Sequence, residues 1–183
     1  MNEVIKSPIR HMLQGLAHWM AYRNEMSNIQ LIEADAVFVA TDILRGRLPN
    51  DYIVEREVTK KSLPIVKNHR IDMGIKSRTD GSYKCLIELK LADATNKGYE
   101  GDVKKLYEIK QIDNNLVCLV IILYRIPCEY NEPQKFVKNI DGTAKLGKIK
   151  LVNNIYVKVR KVSNSFISGN RPKSMKTICI EVI

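Results

Sequence analysis

The run Leu116 to Tyr124 (LVCLVIILY) carries no charge and no helix breaker. It is too short to span a bilayer, which takes about 20 apolar residues. It has strand length, and its absence of alternation marks a strand buried on both faces. A strand of that kind needs a layer above it and a layer below. The chain is therefore expected to be α/β, a mixed central sheet flanked by helices on both sides.

The elements around that run agree. Ser7-Pro8 reads as an N-cap with proline at the first helical position. Ile9, Met12, Leu13, Leu16, Trp19 and Met20 then recur at helical spacing, so a first helix is placed at about 8–23, as an addition to the core. Ser27 to Gln30 reads as a capping box. Behind it Ile29, Ile32, Ala36, Val39, Ala40, Ile43 and Leu44 form one stripe, ending near Gly46 to Pro49. Three strand candidates follow: Tyr52–Val58, Arg70–Ile75 and Tyr83–Leu91. A helix supported by Val103, Leu106, Tyr107 and Ile109 precedes the buried run. Strand material recurs at Lys148–Val162 and Thr177–Val182. One domain over 1–183 is expected, with its core at 28–124 and a β-rich C-terminal elaboration.

The second and third strands carry the chemistry. Residues two apart on a strand share a face. Cys85, Ile87, Leu89 and Leu91 therefore fall on one face, and Leu86, Glu88 and Lys90 on the other. On the preceding strand Asp72 is the polar residue among Ile71, Met73 and Ile75. Thr79-Asp80-Gly81-Ser82 is a turn signal that makes the two strands an antiparallel hairpin. A three-residue loop at Asp80–Ser82 would set Asp72 opposite Lys90 and Gly74 opposite Glu88. A two-residue loop would separate the three groups unless a bulge intervened.

Two carboxylates held close raise each other's pKa unless a cation lies between them. Oxygen ligands favour hard cations such as Mg²⁺ or Mn²⁺. Such an ion assists hydrolysis of a phosphodiester, and a neighbouring lysine stabilises the charge that develops. Against this stands the plainer fact that Glu-x-Lys in isolation is a common same-face ion pair of little consequence.

Asp72 followed by Glu88-Leu89-Lys90, in the segments HRIDMGI and CLIELK, resembles the PD-(D/E)xK nuclease superfamily, also called restriction-endonuclease-like. The order helix, three strands, helix, strand over 28–124 is similar to that superfamily's common core. Ile71 stands where the eponymous proline would precede the aspartate. The resemblance implies Mg²⁺ or Mn²⁺ held by Asp72, Glu88 and the backbone carbonyl of Leu89, with Lys90 as catalytic lysine. It further implies a glutamate on the first core helix; Glu33 is the candidate, ahead of Asp35 and Asp42. The implied activity is a DNA endonuclease of restriction, defence or repair, DNA ahead of RNA. A homodimer or a partner subunit would be needed to cut both strands. The alternative is a non-catalytic nucleic-acid-binding or assembly module with a nuclease-like fold.

Composition enters at this point. A net charge of +10 suits a polyanionic partner. No apolar signal core follows a basic stretch at the N-terminus, so a cytoplasmic protein with no membrane partner is expected. The four cysteines form no CxxC pair and read as reduced and structural. Several other residues have plainer readings than a place in the site. Glu33 near a helix start also suits the helix dipole, as do Asp102 and Lys105, whose supporting role would be secondary. Glu55 and Glu57 read as a solvated strand face. His69, His11 and His18 lack metal-ligand spacing, and Trp19 reads as core. Lys97, Lys104, Lys105, Arg171, Lys173 and Lys176 are candidates for a basic groove without individual assignments.

Overall fold

The computed structural model describes residues 3–26, 32–59, 63, 70–92, 99–127, 148–150, 155–167 and 173–183. Its elements run α1 (Glu3–Met26), α2 (Glu33–Arg45), β1 (Tyr52–Val58), β2 (Ile71–Ser77), β3 (Tyr83–Ala92), α3 (Tyr99–Ile112), β4 (Val117–Pro127), β5 (Lys148–Lys150), β6 (Tyr156–Ile167) and β7 (Lys173–Val182). The strands form one seven-stranded sheet in the order β1-β2-β3-β4-β7-β6-β5. Only β3 and β4 pair in parallel, with α3 as their crossover; the remaining neighbours are antiparallel. The fold is thus α/β with a mixed sheet.

The apolar run becomes β4, held between β3 and β7 in the interior of the sheet. Its alternate residues feed two separate cores. Cys118, Val120 and Ile122 pack with Val103, Leu106 and Ile109 of α3. Leu119, Ile121 and Leu123 pack with α1 and α2 on the other face. A fully buried Leu or Ile contributes roughly 1.5–3 kcal/mol, so neither face of β4 is dispensable.

Two expectations for α1 need correction. The helix begins at Glu3, with Pro8 inside it, rather than at residue 8. Proline inside a helix loses its own N–H bond and crowds the carbonyl four residues back; the burial of Ile5, Ile9, Met12 and Leu13 offsets that cost. Nor is α1 an addition to the core. It lies against α2, β6 and β7, and the Thr177 hydroxyl donates to the Leu13 carbonyl at 2.9 Å. The C-terminal strands extend the sheet, and α1 covers them. Without it their buried face would be exposed.

Helix α2 stops at Arg45 with Gly46 as its C-cap, as the Gly and Pro punctuation predicts. The helix starts at Glu33 with extended Ile32 as its N-cap and no side-chain cap, not from a capping box at Ser27; Ser27–Gln30, His69, Lys97 and Arg171 lie outside the described residues. Cys85, Cys118 and Cys179 are buried free thiols, and Cys128 also lies outside. Among the described residues no helix is long and apolar enough to cross a membrane.

Candidate functional site

The hairpin of β2 and β3 has a different register from the one expected. Met73 pairs with Ile87, Gly74 with Leu86 and Ile75 with Cys85, after which a bulge between Ile75 and Lys76 moves Lys76 opposite Tyr83. The turn is also longer, closed by Ser77 N–H donating to the Ser82 carbonyl at 2.9 Å. Gly81 takes the left-handed conformation there (φ 68°). Extending the ladder by one step sets Asp72 across from Glu88, rather than from Lys90. Gly74 lies opposite Leu86, rather than Glu88. The inserted bulge residue restores the parity that puts both carboxylates on one side.

The Asp72 carboxylate accepts a 2.8 Å hydrogen bond from the Leu89 backbone N–H, which fixes it against β3. Its carboxyl lies within hydrogen-bonding reach of that of Glu88. Glu88 is 3% exposed on a strand face otherwise packed on α3. Burial, and then the charge of Asp72, push its carboxyl up to about 9. One proton or one cation is needed to hold these two carboxyls together.

The third member diverges. Lys90 Nζ lies 3.3 Å from Glu33 Oε2 at the start of α2, on the other face of the sheet from α3. The Leu91 N–H donates to the same glutamate at 3.3 Å. Glu33 thus ties the end of β3 to a helix N-terminus, where a carboxylate is favoured. Glu33 and Asp72 line one cleft of about 570 Å³, together with Ala34, Val37, Arg56, Glu57 and Arg70. The sequence-predicted side chains therefore form two pairs, Asp72 with Glu88 and Lys90 with Glu33, and one member of each pair, Asp72 and Glu33, lines the shared cleft.

Lys105, assigned only a secondary part from sequence, touches Glu88 directly. Its Nζ lies against Glu88 Oε1, 3.3 Å from Asp102 Oδ1 and 3.2 Å from the Arg70 carbonyl, to which it donates. Burial lowers the Lys105 pKa, but Glu88 and Asp102 outweigh it and the net shift is upward. It is a held, charged ammonium. The helical phase of Asp102 and Lys105, three apart, was the one signal in the sequence.

Glu55 also departs from the solvated reading. Its carboxylate accepts from the Tyr83 hydroxyl and pairs with Lys76 at 3.3 Å. Glu57 is the one described non-glycine residue at positive φ (56°). The β1–β2 ladder skips Glu57 and Asp72 there, between Arg56↔Met73 and Val58↔Ile71. Beyond the skip the faces exchange: Val54 and Met73 pack with the α1/α2 core, Val58 and Ile71 with the α3 core. Ile71, Met73 and Ile75 hence do not share one face as alternation predicts.

The chain matches no family model, no curated protein and no solved structure.

Whether the residues suit a divalent ion is decided by Glu88. Its buried Oε1 meets the Lys105 ammonium, and its carboxyl stands beside that of Asp72. The charge of Asp72 raises the Glu88 pKa, a repulsion that a hard cation between the two carboxyls would relieve. No group of three or more His, Cys, Asp or Glu side chains gathers around a metal position among the described residues. An ion would therefore rest on two carboxylates, a backbone carbonyl and water. That donor set suits Mg²⁺, which keeps several waters when bound.

Proposed function

We propose that the chain is a metal-dependent nuclease that hydrolyses nucleic-acid phosphodiesters, with DNA as the substrate and a restriction-endonuclease-like core from α2 to β4. The observation that carries this reading is the pairing of buried Glu88 with Asp72, which itself lines an arginine-bearing cleft. Asp72, Glu88 and the Leu89 carbonyl would hold Mg²⁺ or Mn²⁺. The ion, when bound, supplies Lewis acidity toward a phosphodiester oxygen.

The protein's own groups do the rest. Lys90 offsets the negative charge that grows on the phosphate oxygens in the transition state. Glu33 holds the lysine at the end of β3, so its position is set before substrate arrives. The Leu89 N–H orients Asp72. Lys105 holds Glu88 from the α3 side and keeps that carboxylate compatible with its buried setting. Arg56 and Arg70 line the approach and attract a phosphate backbone, in keeping with the net charge of +10.

The test is cleavage of linear, circular and single-stranded DNA and of RNA in Mg²⁺ or Mn²⁺, with and without excess chelator. Cleavage in metal, abolished by chelator and reduced at least a hundredfold in Lys90→Ala, is the expected outcome. Activity that survives chelator or Lys90→Ala contradicts the mechanism. No cleavage of any substrate favours a non-catalytic nucleic-acid-binding module.

A further inference from the structure

We infer that the rim of the cleft, built from Phe38 and Arg56, is a stacking subsite for an unpaired nucleobase, so that the substrate is a strand presenting single-stranded DNA. The inference rests on the nuclease reading for its substrate class and on separate observations for its place. Phe38 is a large aromatic side chain left 53% exposed on α2. The Arg56 guanidinium lies 5.5 Å from its ring centroid. Arg56 itself lines the cleft that Glu33 and Asp72 share. An exposed ring and a guanidinium plane therefore stand beside the place proposed for the scissile phosphate.

The backbone around Arg56 points the same way. The next residue, Glu57, is in the left-handed region at φ 56°, a conformation that costs a non-glycine residue and is found where surrounding structure over-determines it. It falls where the ladder skips and the two strand faces exchange. Glu57 engages the second cleft arginine, Arg70, at 2.9 Å.

Aromatic and guanidinium planes accept any base, because every base has a π face, and their contribution is independent of sequence. A base within a duplex is already stacked on its neighbours and cannot offer that face. The pair thus selects unpaired strands. Arg56 and Arg70 contribute the charge that tracks the backbone, and Phe38 contributes the preference for a free base.

The experiment measures binding apart from cleavage. Fluorescein-labelled oligo-dT, a duplex of the same length and an oligomer of abasic deoxyribose phosphates are titrated in Ca²⁺ with wild type, Phe38→Ala and Phe38→Tyr. Phe38→Ala should weaken oligo-dT binding about tenfold or more and leave the duplex and abasic oligomers within about twofold, with Phe38→Tyr close to wild type. Equal losses on all three ligands, or no loss on oligo-dT, overturn the subsite. An oligo-U arm tells RNA from DNA as the source of the base: binding at least as tight as that of oligo-dT contradicts the DNA assignment, and weaker binding upholds it. Discrimination of this kind by a protein that cleaves nothing in Mg²⁺ upholds the subsite while refuting the nuclease reading.

Discussion

The Lys105 ammonium lies against Glu88 Oε1, so the helix that crosses from β3 to β4 delivers a positive charge to the most deeply buried carboxyl of the site. Breaking such a contact leaves charge without a partner in a poorly solvated place. Glu88, raised to about 9, already holds a proton at neutral pH without an ion, so the charge left without its partner is that of Asp102. Lys105→Met should therefore lower stability by on the order of 1–3 kcal/mol at neutral pH in urea unfolding. A change under about 0.5 kcal/mol would mean that the pair behaves as a surface ion pair.

Glu88 gives a pH dependence of defined sign. Its folded pKa is raised to about 9 from an ordinary value of 4.5. Between those two values the folded protein binds more protons than the unfolded chain, so stability falls as pH rises. The contribution is complete below about 4.5 and gone above about 9. In chelator, urea midpoints should drop between pH 6 and 8.5, and Glu88→Gln should flatten the slope. Mg²⁺ replaces the proton, so its stabilising effect should be larger at pH 8.5 than at pH 6. A midpoint that rises over this range in chelator removes the argument.

Much of this was legible in the sequence. Alternation alone predicts Glu88 and Lys90 on one face of β3, and Cys85, Ile87 and Leu89 do face the other way. The register of Asp72 was not legible, since it depends on a bulge at Ile75/Lys76 that no residue type announces. Lys105 was legible only as a secondary supporting residue, because helix-on-sheet packing is set by the sheet's geometry and not by the helix's own spacing. The left-handed turn at Glu57 had no glycine or asparagine to mark it. The mistaken place of α1 has one cause: the C-terminal strands whose open face it covers read as loose elaboration. What distance in sequence conceals, the sheet order brings together.

Lys90 and Glu33 are expected to act as a unit. Removing the glutamate leaves the lysine charged but untethered. Glu33→Gln should cut the cleavage rate by about 10–100-fold, as loss of a supporting partner does, with a smaller change in KM. Steady-state kinetics on one DNA substrate separates the two. A loss confined to KM would make Glu33 a substrate contact instead.

Gly74 is where β2 meets Tyr83. A Cβ there would lie 2.7 Å from Tyr83 Cε1 and 2.9 Å from Val58 Cγ2. The Tyr83 ring is held by its hydroxyl on Glu55 and cannot swing freely. Gly74→Ala should destabilise by about 1–3 kcal/mol, measured by urea unfolding. Wild-type stability in that variant would show that the ring moves aside.

The claim on which the account turns is that Asp72 and Glu88 together hold a divalent ion. Titration of Mn²⁺ into wild type, Asp72→Asn and Glu88→Gln, followed by electron paramagnetic resonance of the free ion, measures it directly. Bound Mn²⁺ is expected in the wild type, with loss of that binding in each variant. Mn²⁺ binding that is unchanged in both variants, or not detectable in the wild type, would contradict it.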